Sequence, residues 1–409
     1  MGNGNDLVAS VDIGTSKVAV IIAEPEDGVM RVLGYGISES EGVKKGSITD
    51  PNLVSIAIKK ATKQAHDNCN VDIYHVNVNI SDPHLTVTNR EGSINILGQK
   101  ITKNDVVSAI TTASATPTPT NKQVLESIPN RFTIDQNLEM VRVDKPIGLE
   151  AKVLGAQIHI VSVSNQSVSN VQKSIENSNL GIDRIILDSM SNSELFISQD
   201  DKDNGICVVD VGAGVTNLSV FTNGGITYNG IVQMAGNDIT ESIAYAFDTT
   251  FEEAERLKID HGSSQINYSV KERLVRFKQA DGREYRYLSN YSLIEVIEQS
   301  YEQLFSTIKK NLKAHKLDRA LKSGFILTGG SSLLKGFGDS FRNSFKIRTK
   351  LGIADKDKIR GQDKIITNPR YSAAMGLVLY SNDESYFEEV QTTQETNIMD
   401  KLKAKLSNF

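Results

Sequence analysis

The chain has 409 residues, 39% of them hydrophobic and 23% charged, and at about 150 residues per domain this suggests two or three domains. Its 45 basic and 50 acidic side chains leave a net charge of −5, which excludes the all-over basic coat of a nucleic-acid-binding protein. Two cysteines, Cys69 and Cys207, are too few for a disulfide framework, and no apolar run reaches the ~18–20 residues that cross a bilayer. The residues up to Asp6 are polar and lack a signal-peptide pattern, and Asp6 stands where a myristoylation motif needs Ser or Thr. The expectation from composition is a soluble, cytosolic, multidomain protein.

In chain order, Leu7–Ile22 comes first: β-branched apolar runs flank the turn Asp12-Ile13-Gly14-Thr15-Ser16-Lys17, which predicts strand–turn–strand. A helix follows over Asn52–Asn68, with Leu53, Ile56, Ala57 and Ala61 at helical spacing, and then a strand over Asp72–Ile80. The segment from Pro83 to Glu150 differs in character: strand-like Leu85–Thr88, helical Lys103–Ser114 and a Thr-Pro-Thr-Pro-Thr loop at 116–120. It reads as an inserted subdomain. Beyond it the first domain resumes with a strand over Gln157–Val163 and a helix over Ser167–Asn179, stopped near Gly181.

The opening pattern returns at Ile206–Phe221 as Asp210-Val211-Gly212-Ala213-Gly214-Val215-Thr216, so that aligning Asp12 on Asp210 also aligns Gly14 on Gly212. Half a chain is far too long for a solenoid period and indicates two related halves of α/β type. A second insertion runs over about Asp238–Ser306. It holds a helix ending near Phe247, a Glu-rich helix at 251–258, and a basic hairpin, Lys271–Tyr287, turning at Asp281-Gly282. Next, the buried strand Gly324–Thr328 runs into Gly329-Gly330 and a helix start capped by Ser331. Asn382–Thr396 is acidic, aperiodic and linker-like, and Asn397–Phe409 is short, basic and periodic.

Three of these turns can carry chemistry. A glycine in a tight hairpin lets backbone N–H groups approach an anion, and an adjacent aspartate can hold Mg²⁺ through water. Two such hairpins face to face can clamp a polyphosphate, while a strand–Gly-Gly–helix turn lets a flat ligand lie against the backbone. No GxxxxGK[ST] loop, HExxH pair or metal-spaced Cys/His cluster competes, and His66, His75, His84, His159, His261 and His315 are scattered.

On these three motifs the sequence resembles the actin-like ATPase superfamily. The resemblance implies a duplicated, ribonuclease H-like α/β fold of two lobes with ATP and Mg²⁺ in the cleft between them. It makes Gly14, Thr15, Ser16 and Lys17 the first phosphate loop, Gly212, Ala213 and Gly214 the second, and Gly329, Gly330 and Ser331 the adenosine motif. Asp12 and Asp210 would organise the metal, Glu255 and Lys258 would reach the ribose, and Gly236 would line the site. The second hairpin departs from the superfamily's Asp-x-Gly-Gly-Gly-Thr at Ala213 and Val215, so at most weak ATPase activity is expected.

The position of the first insertion, together with Ser40–Ile48, Met234–Thr240, Ile243–Phe247 and Asn368–Leu377, is similar to the FtsA family of bacterial cell-division proteins. That resemblance implies subdomain 1A at 6–83 and 157–203, an inserted 1C at 84–156, 2A at 204–237 and 307–381, and 2B at 238–306. A linker at 382–396 and an amphipathic membrane helix at 397–409 would follow. Small residues Ala373, Ala374 and Gly376 would let a helix pack closely between the two halves. At about 100° per residue, Ile398, Met399, Leu402, Leu406 and Phe409 share one face, flanked by Lys401, Lys403 and Lys405. The segment is ~20 Å long, so it would lie on a membrane rather than span it.

The implied partners are FtsZ, whose C-terminal tail would meet 2B at basic residues including Arg283 and Arg286, other copies of the chain, lipid, and later division proteins through 1C. The implied place is the cytoplasmic face of the inner membrane at the septum. A pilus-assembly ATPase of similar build and a small-molecule kinase of the same fold are the alternatives.

Overall fold

Both Asp-x-Gly hairpins form, and in the same register. The computed structural model describes residues 7–115, 118–136, 139–266, 271–282 and 284–380. Strand β1 (Val8–Ile13) pairs antiparallel with β2 (Lys17–Glu26), placing Asp12 opposite Ala19 and Ile13 opposite Val18. After β2 come β3 (Val29–Glu39), the two-residue strands β4 (Val43–Lys44) and β5 (Ser47–Ile48), helix α1 (Pro51–Cys69) and β6 (His75–Ile80). Pro51 opens α1 where no N–H is needed, Asp50 caps it through the N–H groups of Asn52 and Leu53, and Asn70 ends it in the left-handed conformation. Its buried face, Val54, Ala57, Ile58, Ala61 and Ala65, covers the first sheet.

The insertion is a sheet of its own. Strand β7 (Thr86–Asn95), helix α2 (Lys103–Ser114), β8 (Lys122–Gln136), β9 (Glu139–Val143) and β10 (Val153–Ser164) form a four-stranded sheet in the order β7-β10-β8-β9, with α2 on one face. This corrects the sequence reading: the strand expected at Gln157–Val163 as part of the first domain belongs to the inserted sheet, and the boundary at 156 falls inside it. Alternation along β10 explains the outcome. Leu154, Ala156, Ile158 and Ile160 pack under α2, while Gln157, His159 and Val161 point to the opposite face.

That opposite face docks on the second lobe. The chain continues through α3 (Asn165–Glu176), β11 (Gly181–Leu187), α4 (Asp188–Glu194) and α5 (Gln199–Asn204) into β12 (Ile206–Val211), β13 (Thr216–Thr222) and β14 (Gly225–Val232). Strand β14 is an edge strand, and side-chain amides of the insertion satisfy its backbone: Asn89 donates to Thr227 O at 2.8 Å, and Asn130 accepts the Ile226 N–H at 3.1 Å. Fully buried His159 lies between Asn89 (2.7 Å) and Asn229 (2.9 Å), and burial holds its pKa down at about 4, so the ring is neutral.

The second half then adds α6 (Gly236–Phe247), α7 (Phe251–His261), the hairpin β15 (Leu274–Lys278) and β16 (Tyr285–Ser289), the long α8 (Asn290–Ala314), and β17 (Gly324–Thr328). A 3-10 turn (Gly330–Leu333), α9 (Phe337–Phe345), β18 (Thr349–Leu351), β19 (Ile359–Gly361), α10 (Asp363–Ile366), a second 3-10 turn (Pro369–Tyr371) and α11 (Ser372–Leu379) complete the described chain. The second sheet runs β14-β13-β12-β17-β18. The first, read in the matching direction, runs β3-β2-β1-β6-β11, with β1–β6 and β12–β17 both parallel. The duplication is therefore topological as well as sequential.

The range 307–381, expected to lie wholly in the second lobe, does not. Strand β19 adds to the first sheet beside β3, and α11 covers that sheet on the face opposite α1. Helix α11 is apolar all round because it is enclosed: Ser10 Oγ donates to Ala374 O at 2.8 Å and Asn77 Nδ2 to Leu377 O at 3.0 Å, while α4 lies on its other side. At Gly376 a Cβ would come within 1.8 Å of Ser191 O, so the small residues do permit the close packing the sequence suggested. Gly376→Ala should therefore cost about 2–3 kcal/mol through overpacking, read as a lower urea midpoint.

Candidate functional site

The two hairpin turns meet between the lobes. Each glycine closes its own turn: Gly14 N–H donates to Lys17 O at 2.9 Å and Gly212 N–H to Val215 O at 3.1 Å. Their amides are thus spent, and the next two residues of each hairpin, Thr15 and Ser16, Ala213 and Gly214, carry backbone N–H groups with no backbone acceptor among the described residues. The turns touch: a Cβ on Gly214 would lie 2.4 Å from Thr15 Oγ1, so only glycine allows this approach. Val215, the apolar departure from the superfamily pattern, is buried against the β4–β5 turn at Gly46.

Behind the hairpins lie three carboxylates, Asp12 buried and Asp210 and Asp188 partly buried, of which the sequence identified Asp12 and Asp210. Asp12 receives Lys17 Nζ at 2.8 Å and Asn79 Nδ2 at 2.8 Å. Asp210 receives Asn192 Nδ2 at 2.8 Å. The third, Asp188 at the start of α4, receives Asn217 Nδ2 at 2.7 Å and Asn79 Nδ2 at 3.2 Å. Burial, with the charges of Asp210 and Asp12 behind it, raises the Asp188 pKa strongly, and burial followed by the charge of Asp12 raises that of Asp210. Asp188, Asn79 and Asn192 sit in ordinary-looking stretches without a glycine turn, Asn217 follows the second hairpin turn opposite Asp210, and the sequence reading missed all four. A buried-polar signal was available, since Asn77 and Asn79 alternate with Val76, Val78 and Ile80 in an otherwise apolar strand. Lys17, expected at a phosphate, instead pairs with Asp12 in this structure.

The other expected residues converge on the same place. Ser331 Oγ donates to Gly212 O at 2.8 Å, and Gly236 N–H donates to that oxygen at 3.1 Å. Gly329 has φ +85, and a Cβ there would lie 2.2 Å from Asp210 Oδ1 and 2.5 Å from Val211 O. Gly330 follows as the first residue of the 3-10 turn. The helix start expected here is only that one turn, and Ser331 does not cap it; its hydroxyl ties the turn to the second hairpin.

Glu255 and Lys258 form a pair at 2.6 Å with Lys258 buried, and Lys258 Nζ also donates to Gly236 O at 3.0 Å and Thr240 Oγ1 at 2.7 Å. Burial lowers the Lys258 pKa, and the charge of Glu255 works against that shift. Arg286 is exposed on β16, remote in sequence from these turns, and Arg283 lies outside the described residues. Ile398, Met399, Lys401, Leu402, Lys403, Lys405, Leu406 and Phe409 also lie outside them.

Two duplicated sheets with facing hairpins at a shared cleft define the class: an actin-like protein. Solved structures of similar build include the PilM–PilN type IV pilus biogenesis complex (TM-score 0.65, 14% identity, 91% of this chain and 98% of that one). MreB5 of Spiroplasma citri bound to ADP is another (TM-score 0.56, 12% identity, 97% and 99%). Family models describe residues 207–376 as cell division protein FtsA and 83–162 as the SHS2 domain inserted in FtsA, while the type IV pilus assembly protein PilM model matches 132–281. Over most of its length the chain is similar to the cell division protein FtsA of Pseudomonas aeruginosa (28% identity, 91% of this chain, 89% of that protein) and of Escherichia coli strain K12 (29%, 92% and 90%). The chain belongs to the FtsA family of actin-like cell-division proteins.

Gly329→Val should abolish nucleotide binding, because it combines a strained backbone with a clash on Asp210; equilibrium binding of a fluorescent ATP analogue to the folded variant reads this out. Asp188 gives a pH test. A carboxyl whose pKa is raised on folding keeps its proton in the folded state after the unfolded chain has lost it, so its contribution falls as pH rises from about 4 toward neutrality. Asp188→Asn removes that term, and its urea midpoint relative to the parent should climb steadily over this range.

Proposed function

We propose that the cleft binds ATP with Mg²⁺ and that the nucleotide-bound protein polymerises on the cytoplasmic face of the inner membrane, where it tethers FtsZ at the division site. The observation that carries the nucleotide reading is the meeting of the two hairpins, with the free amides of Thr15, Ser16, Ala213 and Gly214 above a cluster of carboxylates. The donor set suits magnesium. Asn192 Oδ1 and Asn217 Oδ1 are buried with no hydrogen-bond partner among the described residues, and no three His, Cys, Asp or Glu side chains among those residues converge into a direct metal cage. Asp12 and Asp210 would therefore hold the ion through its water shell, and the bound ion would supply charge neutralisation to the phosphates. Gly329, Gly330 and Ser331 would receive the adenosine, with Glu255 and Lys258 toward the ribose.

The membrane part of the reading rests on sequence. The amphipathic face of 397–409 suits a lipid surface, and since one short helix binds weakly, filaments would supply avidity. Among the described residues no helix is long and apolar enough to cross a membrane, which is compatible with a peripheral tether. For FtsZ, the β15–β16 hairpin offers exposed Leu274, Tyr285, Arg286 and Tyr287, with Arg276 stacked 3.7 Å over the Tyr285 ring, a basic and aromatic face suited to an acidic peptide. The inserted subdomain would receive later division proteins.

Liposome sedimentation tests the whole. Full-length protein with ATP should carry FtsZ to anionic vesicles, and a version ending at Thr396 should leave most of it in the supernatant. If truncation leaves recruitment intact, the tether reading fails.

A further inference from the structure

The Ser40–Ile48 stretch, singled out in sequence, has no part in the cradle described above, yet it lies across the cleft. Strands β4 and β5 pair Val43 with Ile48 and Lys44 with Ser47, leaving a two-residue turn, Lys45-Gly46. Both turn residues have positive φ, 49° and 77°, the combination of a type I′ hairpin, in which Asn or Asp is the usual first residue rather than lysine. The turn is held from below by the first lobe: Gly46 N–H donates to Thr15 Oγ1 at 3.2 Å, and Asn170 Nδ2 donates to Ile48 O at 2.7 Å.

From its tip, Lys45 reaches the second lobe. Its Nζ pairs with Asp238 Oδ1 and donates to Gln233 O at 3.4 Å. Asp238 is no free surface carboxylate. Its other oxygen accepts the Ala235 N–H at 2.8 Å and so fixes the start of α6, where Gly236 contacts Gly212 and Ser331. Gly46 also lacks room for a side chain: a Cβ there would lie 2.7 Å from Ser81 Oγ and 3.3 Å from Val215. One hairpin thus touches the first phosphate turn, the second phosphate turn and the helix that borders the second.

We propose that the β4–β5 hairpin is a strap over the nucleotide cleft, with Lys45 and Asp238 as an inter-lobe latch that sets the rate of nucleotide release. The inference rests on the nucleotide reading of the cleft. Lys45 is a positioning residue: it holds the lobes together, and its ammonium is occupied by Asp238 and Gln233 rather than by ligand. Both partners are partly exposed, with side-chain accessibilities of 32% and 23%, so the latch is open to screening by salt.

The test is stopped-flow release of fluorescent ATP and ADP analogues from the full-length protein at low and high salt. Lys45→Met should release both nucleotides about fivefold faster at low salt, by the same factor for each. Asp238→Asn, which keeps the helix-start acceptor, should match it, and the double variant should add nothing further. Lys45→Arg should restore slow release. Parent release should quicken with salt while that of Lys45→Met stays flat, a difference that a merely structural role would not produce. Unchanged release in Lys45→Met overturns the latch, and so does acceleration confined to ATP, which would make Lys45 a phosphate contact. A parent protein that binds no nucleotide removes the cleft reading itself, and the latch with it.

Discussion

Three carboxylates crowded at the junction of two sheets, one buried and two partly so, are the constraint around which the cleft is built. Asp12, Asp188 and Asp210 repel one another, and burying such groups is costly unless donors surround them. The solution uses one ion pair, from Lys17, and otherwise neutral amides: Asn79, Asn192 and Asn217. Amides satisfy carboxylate oxygens without cancelling their charge, so burial and mutual repulsion still raise the pKa of Asp188 and Asp210. The positions are exacting. Asn79 must lie on the strand parallel to β1, Asn217 must face Asp210 across the β12–β13 ladder, and Asp188 and Asn192 must share one turn of α4.

The closing segment and the inserted subdomain both join the two lobes. After β18 the chain returns to the first lobe, where β19 extends its sheet and α11 fills the space between that sheet and α4. The inserted sheet leaves the first lobe and lies on the edge strand of the second, where Asn89 and Asn130 take up the hydrogen bonds that β14 would otherwise offer to another chain. Its buried contact combines a neutral histidine between two asparagines with an apolar cluster in which Val161, Val87, Leu125 and Ile128 pack against Phe221 and Ile226, and Arg131 donates to Asn223 O at 3.0 Å at the rim.

The division of lobes also decides how the two hairpin turns present their amides. In each, the glycine amide closes the turn and the following two amides remain free, so the duplication supplies two short rows of donors from opposite sides. Their approach is limited by Thr15 against Gly214, a contact that any side chain at 214 would obstruct. Val215 then packs against the strap rather than offering a hydroxyl, a physical role for the residue that departs from the superfamily pattern.

The duplication and the three glycine turns were legible in the sequence, because tight turns and alternating strands leave local signatures in residue type and spacing, whereas β3, β8, β11, β14 and the long α8 were not picked out. Asp12, Asp210, Gly329 and Ser331 could be named on that basis. Asp188, Asn79 and Asn192 could not: each is defined by a partner on another strand or helix, and nothing in its own neighbourhood records that partner. The same reason explains the misplaced boundaries. Strand β10 reads identically whether its ladder belongs to the first domain or to the insertion, and β19 is three residues whose only distinguishing feature is the strand it pairs with. Local chemistry thus determined which turns could bind an anion. Long-range packing alone decided which carboxylates stand behind them, which lobe each strand serves and which lysine closes the cleft.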